Sequence, residues 1–520
     1  IPFFSTKFFY TQDYIFIARL HQMSTALADG HFPARWAPDL RYGEPIFNYY
    51  AALPYYIGAA VHVLGFNFIW VSKILFILST ILSAFSMYIL GKELFGKKAG
   101  FLSAVLYTYS PYRAVDIYVR GALSETWAFV FFPLIFYTSI LLSKKCSFLN
   151  MSFLTLSIAG LLLTHNVTTL MFLPFLTLWW AYLILREKRK KLALYLISAF
   201  ILSLGLSAFF LLPASFERDM IQTKYLTVGY FDFRAHFVAY KQFFSLFWGY
   251  GSSLWGPVDG LSFQIGLVNL TILILAGLLA VILRKDRKFL ALLTVLEVSF
   301  IFSIFLQHNK SAFIWEAVSI MAFIQFPWRF LAITIFIISI IGAAITPYLK
   351  NGLTIIYFIL IFAAISSTLM YFKPKEFVSD SFFDKFLDKE KMHQGIDLTK
   401  DYLPIWVKTV DAPKLNYPEA QEGQIEVPSF EKKTARASAE INVLKDSLIE
   451  VPITYFPNWT VFSNGKKIDL EYPDIRGLIR FKLPIGNYLI NFEFKDTPVR
   501  MIGNIVSLIS FLILILLFLL

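Results

Sequence analysis

The sequence predicts a mainly α-helical polytopic membrane protein, a bundle of transmembrane helices with a small extracytoplasmic β-sandwich near its C-terminus. The first observation is composition: of 520 residues, 57% are hydrophobic and only 16% charged, and the mean hydropathy is +0.62. Phe alone occurs 56 times, more than one soluble core needs. The second is pattern. Apolar runs near the ~20 residues that cross a bilayer recur along the chain, whereas a transmembrane barrel would show short alternating segments throughout. The third is the placement of charge. The net +12 falls in short clusters between the apolar runs, as membrane topology requires. Membrane lipid is therefore an expected partner and nucleic acid is not. The single Cys146 excludes a disulfide framework and any cysteine-rich metal site.

Residues 1–67 read as a first outer loop with interfacial helices. The chain opens without Met in a polar-aromatic segment, so a span is expected to precede it. In TQDYIFIARLHQM (11–23), a helix over 11–29 would set Asp13 and His21 about 12 Å apart along its axis, too far to touch. DGHFPARWAPDLRYGEPIF (29–47) carries Pro33, Pro38 and Pro45 among charges and aromatics, and reads as a structured surface loop. NYYAALPYYIGAAVHVLGF (48–66) is apolar but holds Pro54 and His62. It reads as an interfacial helix, because a span there would put the basic GKELFGKK outside.

The bundle occupies 68–371, with spans at 68–90, 99–112, 124–143, 149–165, 167–185, 192–212, 264–283, 289–306, 329–349 and 353–371. A final span follows at 502–520. GKELFGKK (91–98), SKKC (143–146), REKRKK (186–191) and RKDRK (284–288) all fall on one side, the cytoplasm by the positive-inside rule. The other side receives 1–67, the turns after Ser110 and near His165, the loops 213–263 and 307–328, and 372–501. That last segment alternates in LIEVPITYF, RGLIRFKLP and NYLINFEF, with turn signals SNGKK, YPD and PIGN between, which predicts the β-domain.

The candidate functional residues gather on that outer side. Asp13 stands near the start of a helix, where the macrodipole also stabilises a merely structural acid. Arg113, Asp116 and Arg120 are spaced i, i+3, i+7, which one helical face can carry as an ion-pair ladder. Glu125 lies where a span begins, and a charge buried there is expensive unless paired or used. His165 and Asn166 sit between two apolar runs, as a polar tip of a helix turn would. Arg329 follows Pro327 and Trp328 at the mouth of a span, either snorkelling to the interface or binding phosphate oxygens. Glu297 lies within a span, farther from the others. Zinc spacing, a GxxxxGK[ST] phosphate loop and GxGxxG are all missing, so no metal ligands are assigned and no cofactor is required.

An acid followed by a G-x-x-P-x-x-W loop, here GHFPARW, and an aromatic interfacial helix resembles the first outer loop of the glycosyltransferase C superfamily. PYRAVDIYVRGALSE, LTHN, IQFPWRF and DYLPIWV (401–407) are similar to the membrane proteins labelled "6-pyruvoyl-tetrahydropterin synthase-related". YFPNWTVFSNGKKIDL and LPIGNYLINFEFKDTPVRMIGNIVSL resemble the closing region of YfhO-type membrane proteins. The pterin label carries no chemistry here, because the seven scattered His offer no zinc triad. The resemblance implies a catalytic role for Asp13, with Asp116 or Glu125 as the second-loop acid. Arg120 or Arg329 would be the lipid-phosphate cation, with His165 beside it. Asp13 is followed by Tyr14, so the adjacent acid pair of some members is missing.

These readings converge on transfer of a sugar from a polyprenyl-phosphate donor to a glycan or protein acceptor outside the cytoplasm. The phosphate leaves without general-acid help, so the protein must supply a base and positive charge. A divalent cation held by Asp13 and a second-loop acid could assist, though no signature requires one. The rival reading is a non-catalytic membrane protein that carries or assembles lipid-linked glycans. Transporters place polar groups near the midplane, and these gather at one face.

Overall fold

The computed structural model describes residues 2–256, 258–283, 285–349, 353–389, 391–392, 400–410 and 414–519. Among them, seven helices are long and apolar enough to cross a membrane, or eight with one bent pair counted as a span. The chain is thus a multi-pass membrane protein, and a C-terminal antiparallel β-sheet follows the helical part.

The helix boundaries follow local signals. Asn67 caps Phe68–Phe95 by accepting from the Trp70 N–H at 2.9 Å, and Gly96 ends that helix. Asp286 caps Arg287–Gln307 through the Lys288 and Phe289 N–H groups. Leu331–Ile345 is apolar on every side and buried along its whole length, which makes it the central helix of the bundle. Pro498–Leu519 exposes most of its surface and lies at the periphery. Leu53–Val63, at 11 residues, is too short to cross.

Four expected spans differ in form; of these, 149–165 and 264–283 become the shorter apolar helices Phe148–Thr164 and Leu267–Ile282, of 17 and 16 residues. The run 192–212 is broken into Lys190–Leu206 and Ala208–Phe216, bent by 74°. Ser507 of the last helix resolves the polar groups this bend frees: its hydroxyl donates to Gly205 C=O at 3.1 Å and accepts from Phe209 N–H at 2.8 Å. The run 99–112 yields the 12-residue Lys97–Thr108, about 18 Å long. Pro111–Ala114 and a π-helical turn, Val115–Arg120, extend it.

The bundle has two chemically distinct ends. Lys144 pairs with Glu93 at 2.5 Å, and Arg189 donates to Lys144 C=O at 3.5 Å. Three of the basic loops therefore meet at one end. RKDRK begins at Arg284, outside the described residues. Helix Leu123–Lys144 runs from this end to Glu125 at the other, and Asn166–Glu187 spans the same way from its basic C-terminus to His165.

Among the described residues, strands 419–494 of the β-domain form one six-stranded sheet where the sequence suggested a sandwich. Arg436–Thr454 pairs along one edge with Glu419–Lys432. Along its other edge it pairs with Gly486–Phe494 and then with Leu478–Leu483, so these two act as one long strand interrupted near Pro484. Irregularities in register let the long strands bend around a core that includes Ile449, Val451, Phe481 and Phe492. One curled sheet thus covers the apolar residues that two facing sheets would otherwise share.

Buried ion pairs fasten this domain to the bundle. Arg35 binds Asp496 at 3.0 Å, Asn504 at 2.7 Å and Phe209 C=O at 3.1 Å. Arg500, fully buried, pairs with Glu217 at 2.9 Å, and Thr497 donates to the same carboxylate. The first loop, the bent helix and the last helix meet at this knot.

His31 lies against it, its ring 6.4 Å from Phe494 and its Nε2 buried without a partner. Burial pushes its pKa down to about 4, and Arg35 and Arg500 act in the same direction. The folded state therefore keeps His31 neutral while the unfolded chain takes up a proton below its ordinary value of 6.5. Stability is expected to fall as pH drops from 6.5 toward 4, by at most about 3 kcal/mol. Thermal unfolding in detergent across that range checks this, and His31→Gln should flatten the slope.

Candidate active site

Asp13 precedes helix Ile15–Ala28 and accepts the Ile15 N–H at 2.9 Å. Its backbone is fixed from the other side. The Gln12 and Asp13 N–H groups donate to Val119 and Arg120 C=O at 2.8 and 3.0 Å. Segment 11–13 therefore lies along the π-helical turn. Gly121 closes that turn at φ +69, and a Cβ there would stand 2.7 Å from Asp13 O and from Thr11 Oγ1. Only glycine allows this approach. A contact 107 residues apart in sequence, Asp13 to Arg120, is thus made by main chain.

Arg120 is anchored through one nitrogen. Its Nη1 donates to Glu125 Oε2 at 2.9 Å, to Tyr112 Oη at 3.2 Å and to Asp116 Oδ1. Its guanidinium lies 4.7 Å over the Trp328 ring. Tyr112 in turn donates to Glu125 Oε1 at 2.7 Å. Arg329 places Nε 3.8 Å from Glu125 Oε2 and spends Nη1 on Ile324 C=O at 2.8 Å and Gln325 at 3.3 Å. Two arginines thus share the buried Glu125, and the buried Asp116 pairs with Arg120. Bringing such charges out of water costs several kcal/mol each unless they are paired, so their positions are strongly determined.

A cavity of about 1080 Å³ opens in front of this cluster. Asp13, Arg120, His165 and Arg329 line it, together with Arg19 and Tyr50. Its other flank is apolar, with Leu162, Leu170, Leu173, Leu211 and Phe323. Arg19 is buried, its guanidinium 4.0 Å over Tyr50. His165 bonds through Nδ1 to the Thr168 hydroxyl, and Asn166 donates to Tyr49 C=O at 3.0 Å.

Asp116 and Glu125 stand behind the arginines and do not line the cavity. Arg113 turns away, donating to Ser83 Oγ at 3.1 Å over the Phe129 ring. The π-turn between it and Arg120 breaks the single helical face suggested by their spacing. Glu297 and His21 are also absent from the lining. Of the second-loop acids that could join Asp13 on a divalent cation, Glu125 uses both oxygens on Tyr112 and Arg120, Asp116 engages Arg120 through Oδ1, and neither lines the cavity. Among the described residues, no three His, Cys, Asp or Glu are grouped to hold a metal.

Sequence reasoning missed a hydrogen-bonded chain at the cavity wall. His236 Nε2 lies 2.6 Å from Tyr230 C=O, which can only accept, so Nε2 carries the proton. Nδ1 is then the acceptor for Ser253 Oγ at 2.9 Å, and Trp328 Nε1 donates to that same oxygen at 3.1 Å. Burial pushes the His236 pKa down, which keeps this neutral form. The chain buttresses Trp328 and through it Arg120. Its members are 17 and 75 residues apart with no recurring pattern, so nothing in the sequence joins them.

No family model matches the chain. It is 30% identical over 225 residues to an uncharacterized protein of Lactococcus lactis subsp. cremoris (strain MG1363), a match covering 41% of this chain and 36% of that protein. Its structure is similar to the single-particle cryo-EM structure of arabinofuranosyltransferase AftD from Mycobacteria, with a TM-score of 0.44 and 14% identity. That likeness covers 68% of this chain and 24% of AftD. The chain thus spans less than half the length of either protein.

Gly121→Val introduces strain at positive φ and a clash with Thr11 and Asp13. The Gln12 and Asp13 amides are expected to lose hydrogen-exchange protection while the transmembrane helices keep theirs. Unchanged protection at both amides would contradict the seating described here.

Proposed function

We propose that this protein is an integral membrane glycosyltransferase that moves a sugar from a polyprenyl-phosphate donor to a glycan or protein acceptor. One observation carries the reading: a single cavity joins an acid, Asp13, to Arg120, His165 and Arg329 and continues into an apolar flank. A lipid phosphate needs cations at its head and apolar walls along its chain, and the acceptor needs a base. Within this proposal the chain groups with the membrane proteins labelled "6-pyruvoyl-tetrahydropterin synthase-related" and has a YfhO-like closing region.

In the proposed reaction, Asp13 takes the proton of the acceptor hydroxyl as its oxygen bonds to the anomeric carbon. The bond from that carbon to the phosphate oxygen breaks, and the electron pair leaves with the phosphate. Arg120 and Arg329 face the developing dianion, with His165 beside them. Asp116 and Glu125 act as positioning residues that hold the arginines. Opening of the cavity outside the cytoplasm, with the β-domain on that side, is supported by the gathering of basic loops at the opposite end.

The test is turnover of radiolabelled polyprenyl-phosphate sugars by the purified protein. Asp13→Asn is expected to lower turnover at least about 100-fold while donor binding persists. Binding of the donor by wild-type protein with the sugar–phosphate bond left intact under all acceptors would replace this reading with that of a carrier.

A further inference from the structure

The long loop between Phe216 and Leu267 contains a segment that the proposed reaction does not use. Residues 244–258, FSLFWGYGSSLWGPV, contain no Asp, Glu, Lys or Arg. The segment enters a finger closed at its root: Tyr250 bridges Leu261, and Gly251 N–H donates to Gly260 C=O at 2.9 Å. The two glycines pack backbone against backbone, where a Cβ on Gly260 would stand 2.9 Å from Gly251 Cα. Asp259 braces the finger from within by accepting the Leu254 N–H at 3.1 Å and the Leu261 N–H at 3.4 Å.

Beyond that root, Leu254, Trp255 and Val258 are 53%, 76% and 80% exposed. Phe244, Leu246 and Phe247 are exposed beside them. A concentration of large apolar side chains this high on one short loop marks a contact surface rather than a solvated turn. Its occupant is indicated by continuity. Helix Leu267–Ile282 begins a few residues later, and its Leu267, Ile274 and Leu278 are exposed to the lipid that surrounds a membrane helix. The charge-free tip extends that apolar surface, and a Trp at such a site suits the headgroup boundary.

We infer that the 250–261 finger inserts its tip, Leu254, Trp255 and Val258, into the leaflet on the cavity side of the membrane. Between root and tip stands Ser253, which lines the cavity and bonds His236 and Trp328. The finger therefore connects the bilayer directly to the wall that supports Arg120. This inference does not depend on the chemistry proposed for the cavity.

The chain has one cysteine, so Cys146→Ser gives a clean background for a single spin label. Labels at Val258→Cys and, as a water-facing control, at Lys467→Cys on the edge strand of the β-domain are compared in phosphatidylcholine–phosphatidylglycerol liposomes. Collision with oxygen relative to a water-soluble nickel chelate is expected to be several-fold higher at 258 than at 467. In parallel, brominated acyl chains should quench a component of the tryptophan emission that disappears in Trp255→Phe. A label at 258 as open to nickel as that at 467, with no quenchable contribution from Trp255, would overturn the inference.

Discussion

The arrangement of the site depends on one buried electrostatic cluster. Arg120 and Arg329 converge on Glu125, and Asp116 closes on Arg120 from below. In such a place a lone guanidinium or carboxylate is costly, so each charge is held by its partners. Because Arg120 is tied by Nη1 alone, the rest of its guanidinium is directed by packing on Trp328. That leaves a cationic surface at the cavity wall whose direction is set by acids that never reach the cavity themselves. The division between groups that face the cavity and groups that aim them comes from depth: both acids are fully buried, whereas Asp13 is carried in by a loop.

From this cluster the organisation spreads outward by backbone and by further ion pairs. The Arg120 carbonyl receives the Asp13 N–H, so the acid and the arginine are registered to each other through main chain. The first loop that carries Asp13 is secured to the β-domain: Asp29 accepts the Thr434 N–H at 2.7 Å, and Lys432 donates to Pro38 C=O at 3.0 Å. Two residues before Tyr10, Phe8 and Phe9 pair with Val378 and Phe377. The β-domain thus acts as a clamp on the loop that forms one wall of the cavity, and the Arg35–Asp496 and Arg500–Glu217 pairs fasten that clamp to the helices.

Much of this was legible in the sequence, for physical reasons that differ by element. The spans were legible because a helix in hydrocarbon must be apolar over its length. Asp13, Arg120, His165 and Arg329 stood out because polar groups in so apolar a chain need a reason, and the fold brings all four to one cavity. The holding positions of Asp116 and Glu125 were hidden, since spacing cannot distinguish an acid on a wall from an acid behind it. A π-turn changes which residues share a face, so the 113–120 ladder was read as straight. The bend at Ser207 depends on Ser507, some three hundred residues later. The single curled sheet rests on bulges, which alternation does not reveal.

The most direct measurement is lipid binding by the purified protein, comparing a polyprenyl phosphate with the corresponding polyprenol of equal chain length. Selective binding of the phosphate is expected, with the preference lost when Arg120 and Arg329 are both replaced by Gln. Equal affinity for the two lipids in the wild-type protein would contradict the claim that the buried acids hold those arginines for a phosphate.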